Sequence, residues 1–596
     1  MSEQQGGNNV KPAGGGRGAK GARAQAAAGE AGQQQPAGGA AAGEGEQRQE
    51  PVQQAQPQPG GRDVRAGWGR YLVAPRPAGL LGGGVPPIEA SALFALLEED
   101  PDAEIVTELR PSRARGLGAI AGPHPVCPPV AVVAMPGERA RALAANPQVV
   151  VEADQPLSYT PVPPVGPGPV AVIDPMLAVT LEEPQQFTLR VMGSDGDEVA
   201  GAHVWAIGTG GPVHGVTGPD GLVSLTLAAD TPETLQALYV RPPSGYWPTR
   251  TSIPRPAAGG EAVVQVQALS DAFEGFPGRA ITGWGVQAMR LNQIPPTYRG
   301  NGIKIALLDS GVNTGHPDLK DAVHHGHDFT ATGNGAWGVD ACGHGTWCAG
   351  IIAAADNRTG ITGIAAEAEL HALKLFPGGH LSDLIQAVDY LITRDIDIAQ
   401  LSLAYPLPSQ LAAWKLADAH TAGITLIAPA GDTAGPLTHP ATLPGVLSVG
   451  ALAHTGTYPP SSPLAAAQPP WPGPYPAPFT PTGPGVDLIA PGAAVITTAL
   501  GDGYAAVDGT ALAAAHVTGL AALLLAHHDH LRTQVMPRTA TRADHLYQLL
   551  RTACRPLPGT DPRTGAGIAD APTALGIPTS WQADPYTAAG HTRPSA

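Results

Sequence analysis

Residues 275–577 predict an α/β fold, a mostly parallel sheet flanked by helices, and three observations carry the prediction. Strand-like runs at Lys304–Leu308, Ala372–Phe376, Ile398–Leu403, Ile424–Ala428 and Leu447–Ala451 alternate with helical stretches at His344–Ala355 and Ser382–Arg394. Such alternation builds a parallel sheet covered on both faces. The first of these strands ends in Asp309-Ser310-Gly311, an acid at the carboxyl end of a parallel strand, where such sheets carry their sites. Near the end, Ala511–His527 is apolar almost throughout, so it predicts a helix running through the core.

Two smaller domains precede this region. Residues 67–157 read as a small α+β domain: strands at Gly69–Ala74, Ala131–Met135 and Gln148–Glu152, with helices at Ser91–Asp100 and Gly137–Ala145. Residues 173–270 predict a β-sandwich, because Gln186–Val191, Ala202–Ala206, Gly221–Leu227 and Glu261–Val266 alternate with period two between turn residues. The pattern loosely resembles immunoglobulin-like or carboxypeptidase-regulatory-like modules. A Pro-rich linker over 158–172 is expected to be extended. The tail at 1–66 offers too little apolar surface to offset the entropy of ordering, and 578–596 is a C-terminal tail.

Composition narrows the partners. A net charge of −16 argues against nucleic acid, whose phosphates need a basic surface, and against anionic membranes. No run approaches the roughly 18 consecutive apolar residues of a membrane span, and no secretory-type segment opens the chain. Four cysteines, Cys127, Cys342, Cys348 and Cys554, do not make a disulfide framework. The expectation is a cytoplasmic protein, or one exported without a Sec signal.

The chemistry concentrates in three places. Asp309 ends its strand; Gly343-His344-Gly345-Thr346 opens a helix with an imidazole; Asp508-Gly509-Thr510-Ala511 opens the apolar helix. That order of Asp, His and Gly-Thr-x resembles the subtilisin-like serine proteases. Intervening segments match as well: Gly315-His316-Pro317-Asp318-Leu319, Ala355–Ala366, Ser402-Leu403-Ala404 and Ala490-Pro491-Gly492. The resemblance implies that Asp309 is the triad acid and His344 the general base, the acid orienting the imidazole that takes the hydroxyl proton. It implies that Ser402, Leu403, Ala404 and Gly431 bind substrate backbone. Residues 67–157 then resemble the family's inhibitor-like propeptide, whose last strand occupies the cleft.

Three departures surround that cleft. Position 511, where the family places its nucleophilic Ser, is Ala, and loss of the nucleophile from such a triad costs roughly 10⁶ in turnover. Asp432 stands where the family has an oxyanion-donating Asn, and an ionised carboxylate only accepts. Ala515 replaces a Pro of the serine motif. The resemblance therefore implies a pseudoprotease holding a peptide or protein in its cleft, its own propeptide-like domain among the candidates. The alternatives are a serine endopeptidase with a replaced nucleophile, natural or engineered, and a multidomain structural protein. No cofactor is required; Asp318 and Asn357, with Gln287, are the candidate calcium ligands that the resemblance supplies. Cys348 is read as a buried structural thiol, and Tyr458–Pro484 as a stiff Pro-rich surface loop.

Overall fold

The computed structural model describes residues 65, 67–82, 84–111, 126–159, 184–254, 261–330, 336–532, 535–559 and 561–578, which belong to one unit, Pro57–Ala596. The predicted tails and nearly all of the predicted linker lie outside these residues.

Strand β1 (Trp68–Pro75), helix α1 (Ala90–Glu98), β2 (Glu104–Leu109), β3 (Val130–Pro136), α2 (Gly137–Ala144) and β4 (Val149–Ala153) form the first domain. Its antiparallel sheet has the order β2-β3-β1-β4. Period-two alternation gives this sheet two apolar faces. Val73, Val133 and Met135 pack on α1 and α2, whereas Leu72, Ala74, Val132 and Val150 join a core cluster with the large C-terminal domain.

Seven strands follow: β5 (Gln185–Gly193), β6 (His203–Gly208), β7 (Gly211–Val216), β8 (Leu222–Leu227), β9 (Ala237–Arg241), β10 (Thr249–Thr251) and β11 (Ala262–Val266). They form two sheets, β10-β9-β6-β7 and β11-β5-β8. Leu189, Val191 and Leu225 from one meet Val204, Leu238 and Val240 from the other in a common buried cluster.

Two single-turn helices, α3 (Leu269–Ala272) and α4 (Trp284–Ala288), lead into the large domain. It contains β12 (Lys304–Asp309), β13 (Val323–Asp328), α5 (His344–Ala353), β14 (Glu369–Lys374), α6 (Leu381–Thr393), β15 (Ile398–Leu401), α7 (Gln410–Thr421), β16 (Thr425–Pro429), β17 (Val446–His454), β18 (Pro474–Pro476), β19 (Leu488–Pro491), β20 (Val495–Thr498), β21 (Tyr504–Val507), α8 (Thr510–His527) and α9 (Ala540–Thr552). The main sheet has the order β13-β14-β12-β15-β16-β17-β18, with β19 also on β17, and every pair except β17–β18 is parallel. This is the predicted α/β architecture. Helix α6 is amphipathic, burying Leu381, Leu384, Ile385, Val388, Leu391 and Ile392 on one face. Helix α8 is buried on every face through Leu525. By length and composition it could cross a membrane, yet 89% of it is buried inside the protein, the condition of a core helix.

The Pro-rich segment 458–484 departs from the surface loop expected of it. Tyr475 and Phe479 are buried, β18 pairs antiparallel with β17, and the Ser461 carbonyl accepts from Arg250 N–H of the sandwich at 2.7 Å. The segment extends the main sheet and joins two domains, while Trp471 alone among its large apolar side chains stays well exposed.

Two carboxylates clamp the first domain onto the large one. Asp154 accepts from Ser382 N–H (2.9 Å) and Ser382 Oγ (2.9 Å) at the head of α6, and from Arg70. Glu152 accepts from Ser409 Oγ (2.6 Å) and Gln410 N–H (2.7 Å) at the head of α7. Both satisfy otherwise orphaned helix N–H groups and face the positive end of the helix dipole. Replacing Asp154 by Ala should weaken docking by about 1–3 kcal/mol, since it also strands Arg70. Limited proteolysis should then release residues 68–153 faster than in the parent, and an unchanged rate would contradict this role.

Candidate active site

Asp309 is the last residue of β12 and is fully buried. His344 is the first residue of α5, and Gly343 before it adopts φ 81°, a left-handed conformation that suits glycine. The turn brings His344 Nδ1 to 2.8 Å from Asp309 Oδ1 and 3.0 Å from Oδ2. Nδ1 is therefore the protonated nitrogen that donates to the carboxylate, leaving Nε2 as the acceptor. Burial lowers the imidazole's pKa, but the charge and hydrogen bond of Asp309, with Asp340 and Asp432 adding to them, raise it overall.

Sequence reasoning missed Asp340. Its Oδ1 accepts from Ser310 Oγ (2.8 Å), Cys342 N–H (3.0 Å) and Gly343 N–H (2.8 Å), and its Oδ2 from Thr346 N–H and Oγ1. Ser310 Oγ in turn accepts from Gly345 N–H at 3.0 Å. This network ties the end of β12 to the start of α5 and so sets the Asp309–His344 geometry. Asp340 stands four residues before the His, but an acid in a loop is ordinary and nothing local marks it as buried.

Around His344 a small space of about 10 Å³ is lined by Ser402, Leu403, Ala404, Gly431, Asp432, Thr510 and Ala511, so the predicted site residues converge. Ala511 occupies the first turn of α8, and its carbonyl accepts from Gln400 Nε2 at 3.1 Å. Thr510 is engaged: its N–H donates to Asp432 Oδ1 (2.7 Å), and its Oγ1 accepts from Gly431 N–H (3.1 Å). Burial holds the Asp432 carboxyl up to about 6 despite the Thr510 bonds, which lower it.

The chain's own strand already lies in this cleft. Ser158 pairs antiparallel with Ala404, donating N–H to its carbonyl (3.0 Å) and accepting from its N–H (2.6 Å). On the other side Leu157 N–H donates to the Gly379 carbonyl, and Leu381 N–H to the Gln155 carbonyl. Tyr159 then stacks on the His344 ring, centroids 4.6 Å apart, and on Phe376. Tyr159 was not singled out from sequence, because only the register with Ala404 brings it to His344.

The candidate calcium ligands are hydrogen-bonded to protein donors. Asp318 Oδ1 accepts from Asn357 Nδ2 (2.8 Å), while Oδ2 accepts from Tyr504 OH (2.9 Å) and Ile361 N–H (3.1 Å). Asn357 Oδ1 accepts from Thr359 N–H and Oγ1. With donors directed at both Asp318 oxygens and Asn357 turned nitrogen-first, this set does not fit a cation that needs six to eight free oxygens. Gln287 lies in α4. Asp309, His344 and Cys348 bring possible ligand atoms within 4.8 Å of one another, but Nδ1 already donates to Asp309, and burial keeps the thiol protonated.

A parallel sheet whose strand ends gather a buried acid, its imidazole and the head of an apolar helix defines an α/β protein with a serine-peptidase fold. The profile of the Subtilase family, peptidase S8, matches residues 300–567. Subtilisin Savinase of Lederbergia lenta is 32% identical over 249 residues, 40% of this chain and 83% of that protein. M-protease of Shouchella clausii is 32% identical over 249 residues, again 40% of this chain but 59% of that protein. Subtilisin E of Bacillus subtilis is 31% identical over 258 residues, 42% of this chain and 62% of that protein, so the chain spans less than two thirds of these last two. The chain belongs to the Subtilase family.

The carboxyl of Asp432 makes stability depend on pH. Its folded pKa, about 6, lies above the ordinary 3.8, so its contribution is complete below 3.8 and is lost as pH rises through 6. Asp432→Asn keeps an acceptor for Thr510 N–H and removes that titration. Denaturant unfolding should show the variant gaining roughly 2–3 kcal/mol on the parent between pH 3.8 and pH values above 6. A pH-independent difference between the two would refute this account.

Proposed function

We propose that this chain is a subtilase-fold protein that does not cleave peptides by a serine mechanism and instead uses its cleft to hold polypeptide. Ala511 carries the reading: it opens α8 beside His344, at the nucleophile position, and offers no hydroxyl to attack a carbonyl. Asp432 supports it. Its carboxyl accepts from Thr510, and above pH 6 it would oppose negative charge developing on an oxyanion. The ligand nearest to hand is the chain's own Gln155–Tyr159, bonded on both edges as an extended peptide would be and capped by the ring stack on His344. In this reading the first domain is a covalently retained, propeptide-like partner.

The ordered Asp309–His344 pair favours a second reading, a serine endopeptidase whose nucleophile alone has been replaced. An imidazole oriented in the right tautomer is the part of a triad that is hardest to assemble, and it is intact.

Restoring the hydroxyl with Ala511→Ser separates the two. Intact mass should show the parent unchanged on prolonged incubation. If the variant also stays whole and spares an unfolded protein substrate, binding is the function, and Asp432 with the remodelled helix head has disabled the site as well. Self-trimming by the variant alone establishes the second reading. Self-cleavage of the unmodified parent would overturn both.

A further inference from the structure

The sandwich contributes to the cleft. A second space beside His344, about 30 Å³, is walled by Tyr159, His344, Asp432 and Asp508 and, from β9, by Tyr239 and Arg241. The sandwich is held in place there: Gly245 N–H donates to the Tyr504 carbonyl at 2.7 Å, next to the β20–β21 ribbon that ends at Asp508. Trp247 is buried in the core of the large domain, and the carboxyl end of β9 forms part of the wall of this space.

Arg241 is unusual among the groups in that wall. Its guanidinium lies over the Trp205 ring, 5.4 Å from the centroid, and makes no ion pair with any described carboxylate. Its positive charge nevertheless acts on Tyr159, Tyr239 and Asp508. Asp508 Oδ1 accepts from Ala494 N–H at 2.7 Å, and Asp508 forms no ion pair with Arg241. A guanidinium braced on an aromatic face, half out of water and without a partner, is pre-organised for a planar two-oxygen anion.

We propose that Arg241 forms a carboxylate subsite, receiving a peptide carboxylate, terminal or side-chain, on the sandwich side of His344. The proposal rests on the reading that the cleft holds polypeptide, and names the chemistry it selects. The available volume suits one carboxylate and little more. The charged and titratable groups facing it are His344, with its Asp309 partner, Asp432, Asp508, Tyr159 and Tyr239, and, from β6 and β7, His203 and His214, whose protonation the Arg241 charge disfavours. Asp432 and Asp508 oppose an anion when ionised; burial holds each up to about 6, so the subsite is strongest below that pH. An apolar wall from Tyr239 and Tyr159 strengthens the attraction by excluding water.

The test is calorimetric titration of the full chain below pH 6, comparing the parent with Arg241→Gln and Arg241→Lys. The probes are N-acetylglycine, its neutral amide, and the N-acetylaspartate α-amide, which carries only a side-chain carboxylate. The parent should prefer a carboxylate probe over the neutral amide by about tenfold or more. Arg241→Gln should abolish that preference, and Arg241→Lys should retain part of it while both variants melt like the parent. The better of the two acids identifies whether a chain end or an acidic side chain is selected. Equal binding of acid and amide, a preference surviving in Arg241→Gln, or no binding of any probe would each overturn the proposal. None of those results touches the outcome of restoring Ser at 511, so the broader reading stands or falls separately.

Discussion

Helix α8 is apolar on all sides, and the architecture of the large domain follows from the need to bury it. A helix with no polar face cannot lie on a surface; it has to be enclosed. The main sheet, α5, β19 and α9 supply the enclosure, with each fully buried Leu contributing about 1.5–3 kcal/mol relative to exposure. Because the helix enters the core from the carboxyl ends of the strands, its first turn arrives where β12 and β16 end. Thr510 and Ala511 are thereby delivered to Asp432 and His344 by the same packing that stabilises the domain. The site is a consequence of how the core is filled.

Two buried carboxylates anchor polar networks in the large domain. Asp340 takes up the N–H groups of the loop before His344, and Asp397 does the same kind of work below, pairing with both Arg538 and the fully buried Arg542. Buried carboxylates of this sort are tolerable because both oxygens of each accept hydrogen bonds, and removing a donor would leave a buried acceptor less satisfied. Such networks rigidify the backbone around His344 independently of whether the site turns over substrate. An intact Asp309–His344 pair is therefore compatible with a binding protein as well as with a peptidase.

Docking of the first domain turns on the geometry of one strand. Its sheet has an apolar outer face that shares a core cluster with α6 and α7, and the two carboxylates at Glu152 and Asp154 lock onto the heads of those helices. With the domain so placed, the next residues have a single direction to run, along Ala404 and under Tyr159's stack on His344. The sandwich closes the other side through Tyr239 and Arg241. Segments from two accessory domains thus meet at one imidazole.

Much of this was legible in the chain itself. The alternation of strands and helices, the wholly apolar run at 511–527 and the motifs around Asp309, His344 and Ala511 are local patterns, and local patterns are what periodicity and spacing report. The missing hydroxyl needed no structure to be seen. What tertiary structure alone decided were contacts between residues far apart in sequence whose side chains carry no distinctive local signature. Asp340 reads as an ordinary loop acid, Tyr159 lies in a Pro-rich stretch, and Arg241 falls in a part of the sandwich region where the sequence suggested no strand. The calcium positions show the same limit from the other side: Asp318 and Asn357 sit at the right places in the motif, but Tyr504, 186 residues away from Asp318, fills the carboxylate instead. Sequence determined which groups are present and in what order, because order is covalent; which groups meet was decided by packing, because burial brings them together regardless of their separation along the chain.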